Sequence, residues 1–108
     1  AKRRVYTKGY ISVRGEIAYK GENYFVIERD GSKGIVAVGG KWLKAGDGVV
    51  SWEEVADEFR VGDTVRIFCH NVLVAGEELS EILGADALIW GYSGAIIDLT
   101  SGAAVSRA

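Results

Sequence analysis

The chain contains no proline, no methionine and no glutamine, with a single cysteine, Cys69, and a single histidine, His70. One cysteine excludes a disulfide framework or a Cys-rich zinc site within the chain and fits a reducing, cytoplasmic compartment. One histidine leaves any metal to carboxylates alone, and no metal site or cofactor is expected. Long apolar runs are also missing. The longest candidate, "ALIWGYSGAII", lies between Asp86 and Asp98, a length that suits buried strands and not a bilayer span, so no membrane partner is expected. No basic-then-apolar leader with a cleavage signature opens the sequence, and none is expected. The lack of glutamine, with asparagine only at Asn23 and Asn71, matches the depletion of thermolabile residues in hyperthermophile proteins.

What is present is unevenly distributed. Residues 1–44 hold ten Lys/Arg against four Asp/Glu, a charge of +6; residues 45–108 hold three against eleven, a charge of −8, and the two halves recover the formal −2. Such polarity fits a basic binding strip balanced by an acidic remainder, or simply a charged surface. The 108 residues suit one domain with one modest core.

The first half reads as strands. Residues 10–19 alternate, Lys20-Gly21-Glu22-Asn23 makes a turn, and "YFVIERDGSKGIVAV" is two β-rich runs around Asp30-Gly31, giving a three-stranded meander. With a four-residue second turn, Phe25, Ile27, Val36 and Val38 share one face, and Tyr24, Val26, Ile35 and Ala37 the other. A helix follows in "GVVSWEEVADEFRVGD": Ser51 and Glu54 form a capping box, Val50 and Val55 a hydrophobic staple, and Trp52, Val55, Ala56 and Phe59 one apolar face. "TVRIFCHNVLV" is a further strand, and "DALIWGYSGAIIDL" two more around Gly91 to Gly94. "EELSEILG" suits a short helical turn, and "TSGAAVSRA" has the look of a frayed, flexible C-terminal tail.

The order of these elements resembles the OB-fold superfamily over roughly residues 10 to 100. The carrying pieces are "ISVRGEI", with Gly15 where a long first strand must bend, the "DGSKGIVAV" hairpin, and "VGDTVRIF". The resemblance implies a mainly β fold, a small OB-like or related barrel with one capped helix between the third and fourth strands, whose outer face and loops bind oligonucleotides, oligosaccharides or proteins. The segment from Asn71 to Gly84 and a surplus strand at the end depart from the five-strand pattern, and an SH3-like barrel is the structural competitor. The whole chain, 1–108, then reads as one barrel domain with a short basic N-terminal extension.

If residues 4 to 14 extend as one strand, Arg4, Tyr6, Lys8, Tyr10 and Arg14 alternate cations and phenol rings along one face. Single-stranded DNA or RNA is recognised by that mixture, cations neutralising phosphates while rings stack on bases. The same alternation would instead cover a hydrophobic edge and keep it unpaired. Arg66, Phe68 and His70 repeat the theme on the strand after the helix. Lys41, Trp42 and Lys44, in "GGKWLKAGDG", offer an indole between two lysines on a Gly-rich loop.

Catalytic motifs fail on inspection. Cys69 and His70 are adjacent and point to opposite faces of a strand, so they cannot form a nucleophile–base pair. Glu53, Glu54, Asp57 and Glu58 lie on a helix away from other chemistry, and "AVGGKWLKAGDG" lacks phosphate-loop spacing. No catalytic residue is assigned. The expected function is a binding module for single-stranded nucleic acid; the alternative is a protein-interaction barrel acting as a subunit or adaptor.

Overall fold

The computed structural model describes the backbone of residues 5–8, 11–69, 71–75, 81, 84, 87–90 and 94–108, and the side chains of residues 12–68, 81, 84 and 94–108. Within these lie eleven strands: β1 (Val5–Lys8), β2 (Ile11–Lys20), β3 (Tyr24–Arg29), β4 (Ser32–Ala37), β5 (Lys41–Lys44), β6 (Gly48–Ser51), β7 (Thr64–Cys69), β8 (Asn71–Ala75), β9 (Ala87–Trp90), β10 (Ala95–Asp98) and β11 (Ala104–Arg107). A short helix α1 (Trp52–Val55) runs into a 3-10 turn (Ala56–Glu58). The protein is mainly β, and none of its described helices is long and apolar enough to cross a membrane.

Asp30 and Gly31 form the bend between β3 and β4. Both have positive φ, 50° and 84°, the conformation that a two-residue primed hairpin turn needs at both positions. Arg29 therefore pairs with Ser32, and Phe25 with Val36. The turn is two residues long, not four. The register moves by an even number of residues, so no face is exchanged: Phe25, Ile27, Val36 and Val38 are buried, while Tyr24, Val26, Ile35 and Ala37 lie outward or half-buried.

The strands are joined in the order β1-β8-β9-β4-β3-β2-β7-β10-β11-β5-β6. β1 and β6 are the two ends of this order. All neighbours are antiparallel except β4 and β9, which run parallel. The β1–β8 and β2–β7 ladders keep one register: Val5 faces Ala75 and Lys8 faces Val72, then Ile11 faces Cys69 and Glu16 faces Thr64. Gly15 lies where β2 is crowded, since a Cβ there would meet Glu28 O at 3.1 Å and Ile27 Cβ at 3.3 Å. Two residues on, the β2–β3 ladder shifts between Ile17 and Tyr19, a bulge that bends the strand.

The helix follows the sixth strand and precedes the seventh; it does not lie between the third and fourth as the sequence pattern predicts. The displacement arises because β1 precedes the meander and Lys41 to Ser51 folds into the β5–β6 hairpin, with Trp42 opposite Val50 and both side chains buried. The Glu54 carboxylate accepts from the Ser51 N–H at 3.3 Å and from its hydroxyl at 3.1 Å, tying down the helix start. Trp52, Val55 and Phe59 enter the core, and the Trp52 ring stands 5.2 Å from Phe59 and 6.0 Å from Trp42. Ile17, Phe25, Ile27, Val36, Val38, Val65 and Ile67 complete most of that cluster, with Val13 half-buried against it. Ile11, on the same odd-numbered positions of β2 as Val13 and Ile17, has its side chain outside the described residues.

The C-terminal segment is not a frayed tail. Ala104–Arg107 is β11, inserted between β10 and β5, with Val105 buried. Its single buried apolar residue, Val105, hides the strand from pattern reading, because two ladders of backbone hydrogen bonds supply what burial alone does not.

Candidate nucleic-acid interface

β2 and β7 pair along six residues, and the pairing decides which outward side chains meet. Arg14 stands directly opposite Arg66, and Ser12 opposite Phe68. Both arginines are exposed; Val13, Val65 and Ile67 on the alternate positions face inward. Like charges in directly opposed positions destabilise a sheet. Here the repulsion is partly managed on the Arg66 side: its Nε donates to Ser12 Oγ at 2.9 Å, and its guanidinium carbon lies 5.0 Å from the centre of the half-buried Phe68 ring. Among the described residues no carboxylate forms an ion pair with either arginine. Two cations, a hydroxyl and an aromatic ring thus share one small area of the outer face, a combination suited to an anion carried on a planar group.

The acidic neighbours lie one step along the strand. Glu16 is opposite Thr64 on β7 and opposite Glu28 on β3. The cationic pair is therefore bounded on one side by carboxylates. On the other side Ala95 and Ile97 of β10 sit beside Phe68 and Arg66 and extend the face in apolar, half-buried side chains.

The second group assigned from sequence does not assemble as expected. Trp42 is not an exposed stacking finger; it is fully buried, its Nε1 donates to Val38 O at 2.8 Å, and the Arg107 guanidinium carbon lies 4.1 Å from its ring centre. The glycine-flanked lysines are consistent with a loop, but β5 is paired on both sides and turns the indole inward. Lys44 is engaged within the protein: Nζ donates to Glu58 Oε2 at 2.5 Å and lies 3.6 Å from Asp47. The hydrogen bond to Glu58 and the two nearby carboxylates raise its pKa above the usual lysine value against the opposing effect of burial. Lys41 is exposed, but β7, β10 and β11 separate its strand from β2, roughly 19 Å at ordinary strand spacing.

Of the remaining assigned residues, Arg4, Tyr10 and His70 and the side chains of Tyr6 and Lys8 lie outside the described residues. Ser12, not assigned from sequence, joins the site through Arg66. Its place on the even face was legible, but its partner was not, because the β2–β7 register joins residues 54 apart in the chain. Leu43 and Val49 are also new: they pair directly across β5 and β6 and both are exposed, at 44% and 61%.

Compared with known proteins, the chain matches no protein-family model, no curated protein and no solved structure.

Proposed function

We propose that the protein binds single-stranded nucleic acid across the outer face of β2 and β7. The observation that carries this reading is the direct opposition of Arg14 and Arg66 beside Ser12 and Phe68. A phosphate between two guanidinium groups converts a repulsive pair into a favourable one, and the adjacent ring offers a surface for a base or sugar.

The same proposal includes a small OB-like barrel. It is supported by the shared register of the β1–β8 and β2–β7 ladders, which lets β1 with β2, and β7 with β8, each count as one stave, and by the parallel pairing of β4 with β9. With β3 these make five staves, to which β5, β6, β10 and β11 are added. The bulge after Ile17 gives β2 curvature of the kind a barrel needs, and Gly15 lets the β3 backbone approach closely.

A second reading is favoured by one observation. Leu43 and Val49, exposed and directly paired near the β6 end of the strand order, suit a protein contact better than a polyanion.

Fluorescence anisotropy of labelled single-stranded DNA and RNA across a salt series separates the two. Each phosphate contact on a single strand contributes about 0.7 to the slope of log K against log salt. Replacing Arg14 and Arg66 with alanine together removes the one phosphate held between them and is expected to flatten the slope by about 0.7, whereas Leu43→Ser with Val49→Ser leaves it unchanged. Absence of wild-type binding at low salt, where electrostatic attraction is strongest, would end the nucleic-acid reading.

A further inference from the structure

Asp98 is the most completely buried charged residue described, with no exposed surface, and Asp63 beside it is nearly as enclosed at 8%. They come from distant parts of the chain. Asp98 ends β10, and Asp63 immediately precedes β7; the β7–β10 ladder, in which Asp98 faces Val65, brings them together. One oxygen of Asp98 is well served: Oδ1 accepts from the N–H of Thr100 at 2.9 Å and of Ser101 at 2.8 Å. The other, Oδ2, is buried with no partner. Asp63 Oδ2 accepts from the Arg60 N–H at 3.2 Å.

An orphaned carboxylate oxygen beside a second carboxylate is doubly unfavourable if both are ionised, for it lacks a donor and faces a like charge. One proton removes both faults. Two carboxylate groups have no hydrogen to share until one of them is protonated; then the O–H of one donates to the other. A cation would need further oxygen ligands, and no third acidic, histidine or cysteine side chain joins the pair among the described residues. We propose that Asp63 and Asp98 hold a single proton between them, and that this proton fastens the β10–β11 turn to the head of β7 as a pH-sensitive clasp.

The surroundings set how firmly it is held. Burial, and then the contact with Asp63, push the Asp98 carboxyl above the ordinary aspartate range. The hydrogen bond that a protonated Asp98 donates, with the Arg60 N–H and the charges of Arg60 and Lys20, holds Asp63 below it. With these directions the pair keeps one proton to higher pH than an isolated aspartate would, and Asp98 is the more enclosed of the two. Glu58, its partner Lys44, Asp57 and Arg60 also line a cleft at this turn, and Ser101 Oγ donates to Glu58 O at 3.1 Å.

The clasp fixes more than two side chains. Leu99 N–H donates to Thr64 O at 2.8 Å, Thr64 N–H to Thr100 Oγ1 at 3.1 Å, and Gly102 N–H to Asp98 O at 2.8 Å. Ser101 to Ala104 also form one wall of an open cleft of about 530 Å³, whose other wall carries Lys44, Asp57, Glu58 and Arg60. Loss of the proton leaves two negative charges under that wall and loosens it.

The sign of the pH effect follows from the two directions. Asp98 contributes stability that is full below the unfolded-chain value of 3.8 and is lost as pH rises through its raised folded value. Asp63 contributes stability present above 3.8 and lost as pH falls through its depressed value. While the fold keeps a proton that the unfolded chain has released, the folding constant falls by up to tenfold per pH unit of increase. Asp98→Asn keeps a donor facing Asp63 but cannot titrate, so its stability is expected to lack the decline on the alkaline side of pH 4 and to keep the decline on the acid side.

The deciding experiment is a carbon-13 NMR titration of the side-chain carboxyls in the wild-type protein, with urea unfolding of wild type and Asp98→Asn from pH 3 to 8. Asp98 is expected to titrate above the ordinary aspartate range, and in Asp63→Asn to move down, because the new amide donates to its ionised form. Asp98 titrating at or below the ordinary value in wild type, or identical pH dependence of unfolding in wild type and Asp98→Asn, overturns the proposal.

Discussion

Replacing Trp42 with alanine removes a fully buried ring that packs 6.0 Å from Trp52, the centre of the aromatic cluster. Three losses combine at this position: the packing of the indole, the cover it gives Arg107 at 4.1 Å, and the hydrogen bond from Nε1 to Val38 O at 2.8 Å. Large-to-small changes of a buried aromatic cost about 3–5 kcal/mol, a range that includes the cavity left behind. Leaving the Val38 carbonyl without its donor adds about 1 kcal/mol. A total near 5 kcal/mol is a large share of the roughly 5–15 kcal/mol that stabilises an ordinary domain. With a urea dependence of about 2 kcal/mol per molar, the unfolding midpoint should fall by about 2.5 M. Trp42→Phe keeps most of the ring packing and loses the N–H, so it should fall by about half as much or less. Urea unfolding followed by far-ultraviolet circular dichroism measures both, without depending on the tryptophan emission that the substitution alters. If Trp42→Ala unfolds within about 1 kcal/mol of wild type while its oligonucleotide affinity collapses, the indole is a contact residue and its assignment to the core is wrong.

Gly15→Ala should destabilise the protein by about 1–3 kcal/mol, the usual range for overpacking, because the added methyl meets the Glu28 carbonyl oxygen at 3.1 Å; an unchanged thermal midpoint would show that β2 yields freely there. Lys44, whose pKa is raised chiefly by its hydrogen bond to Glu58, contributes stability that is full below 10.5 and lost as pH rises through the raised value. Glu58→Gln should therefore diminish the loss of stability seen on alkaline titration, and an alkaline profile unaltered by the substitution would contradict the pairing.

The alternation of residues 10–19 and the two apolar runs around Asp30-Gly31 made the meander and its inner face legible, because a hairpin between neighbouring strands depends on local turn chemistry and a period of two. An error of two residues in the turn did no harm for the same reason. The β5–β6 hairpin was not legible. In Lys41-Trp42-Leu43-Lys44 the period places Trp42 and Leu43 on opposite faces, but nothing local says which face is the inner one; that is decided by Val50 and by β11, some sixty residues on. Size alone would have favoured the indole inside. The outer-face site was half legible: Arg14, Arg66 and Phe68 were assigned from alternation, whereas their opposition, and the part of Ser12, depend on a register between distant strands. The Asp63–Asp98 pair had no sequence signal: Asp63 lies in "VGDTVRIF" and Asp98 closes the last apolar run, and only the fold makes them neighbours.

The central claim, a single-stranded nucleic-acid surface on β2 and β7, is tested most directly by amide chemical-shift mapping of the labelled protein titrated with a short single-stranded oligonucleotide at low salt. The account predicts shifts concentrated at Ser12 to Arg14 and Thr64 to Phe68, reversed by added salt, with Leu43 and Val49 unmoved. A titration that leaves the β2–β7 residues in place, or that moves only the Leu43–Val49 edge, would contradict it.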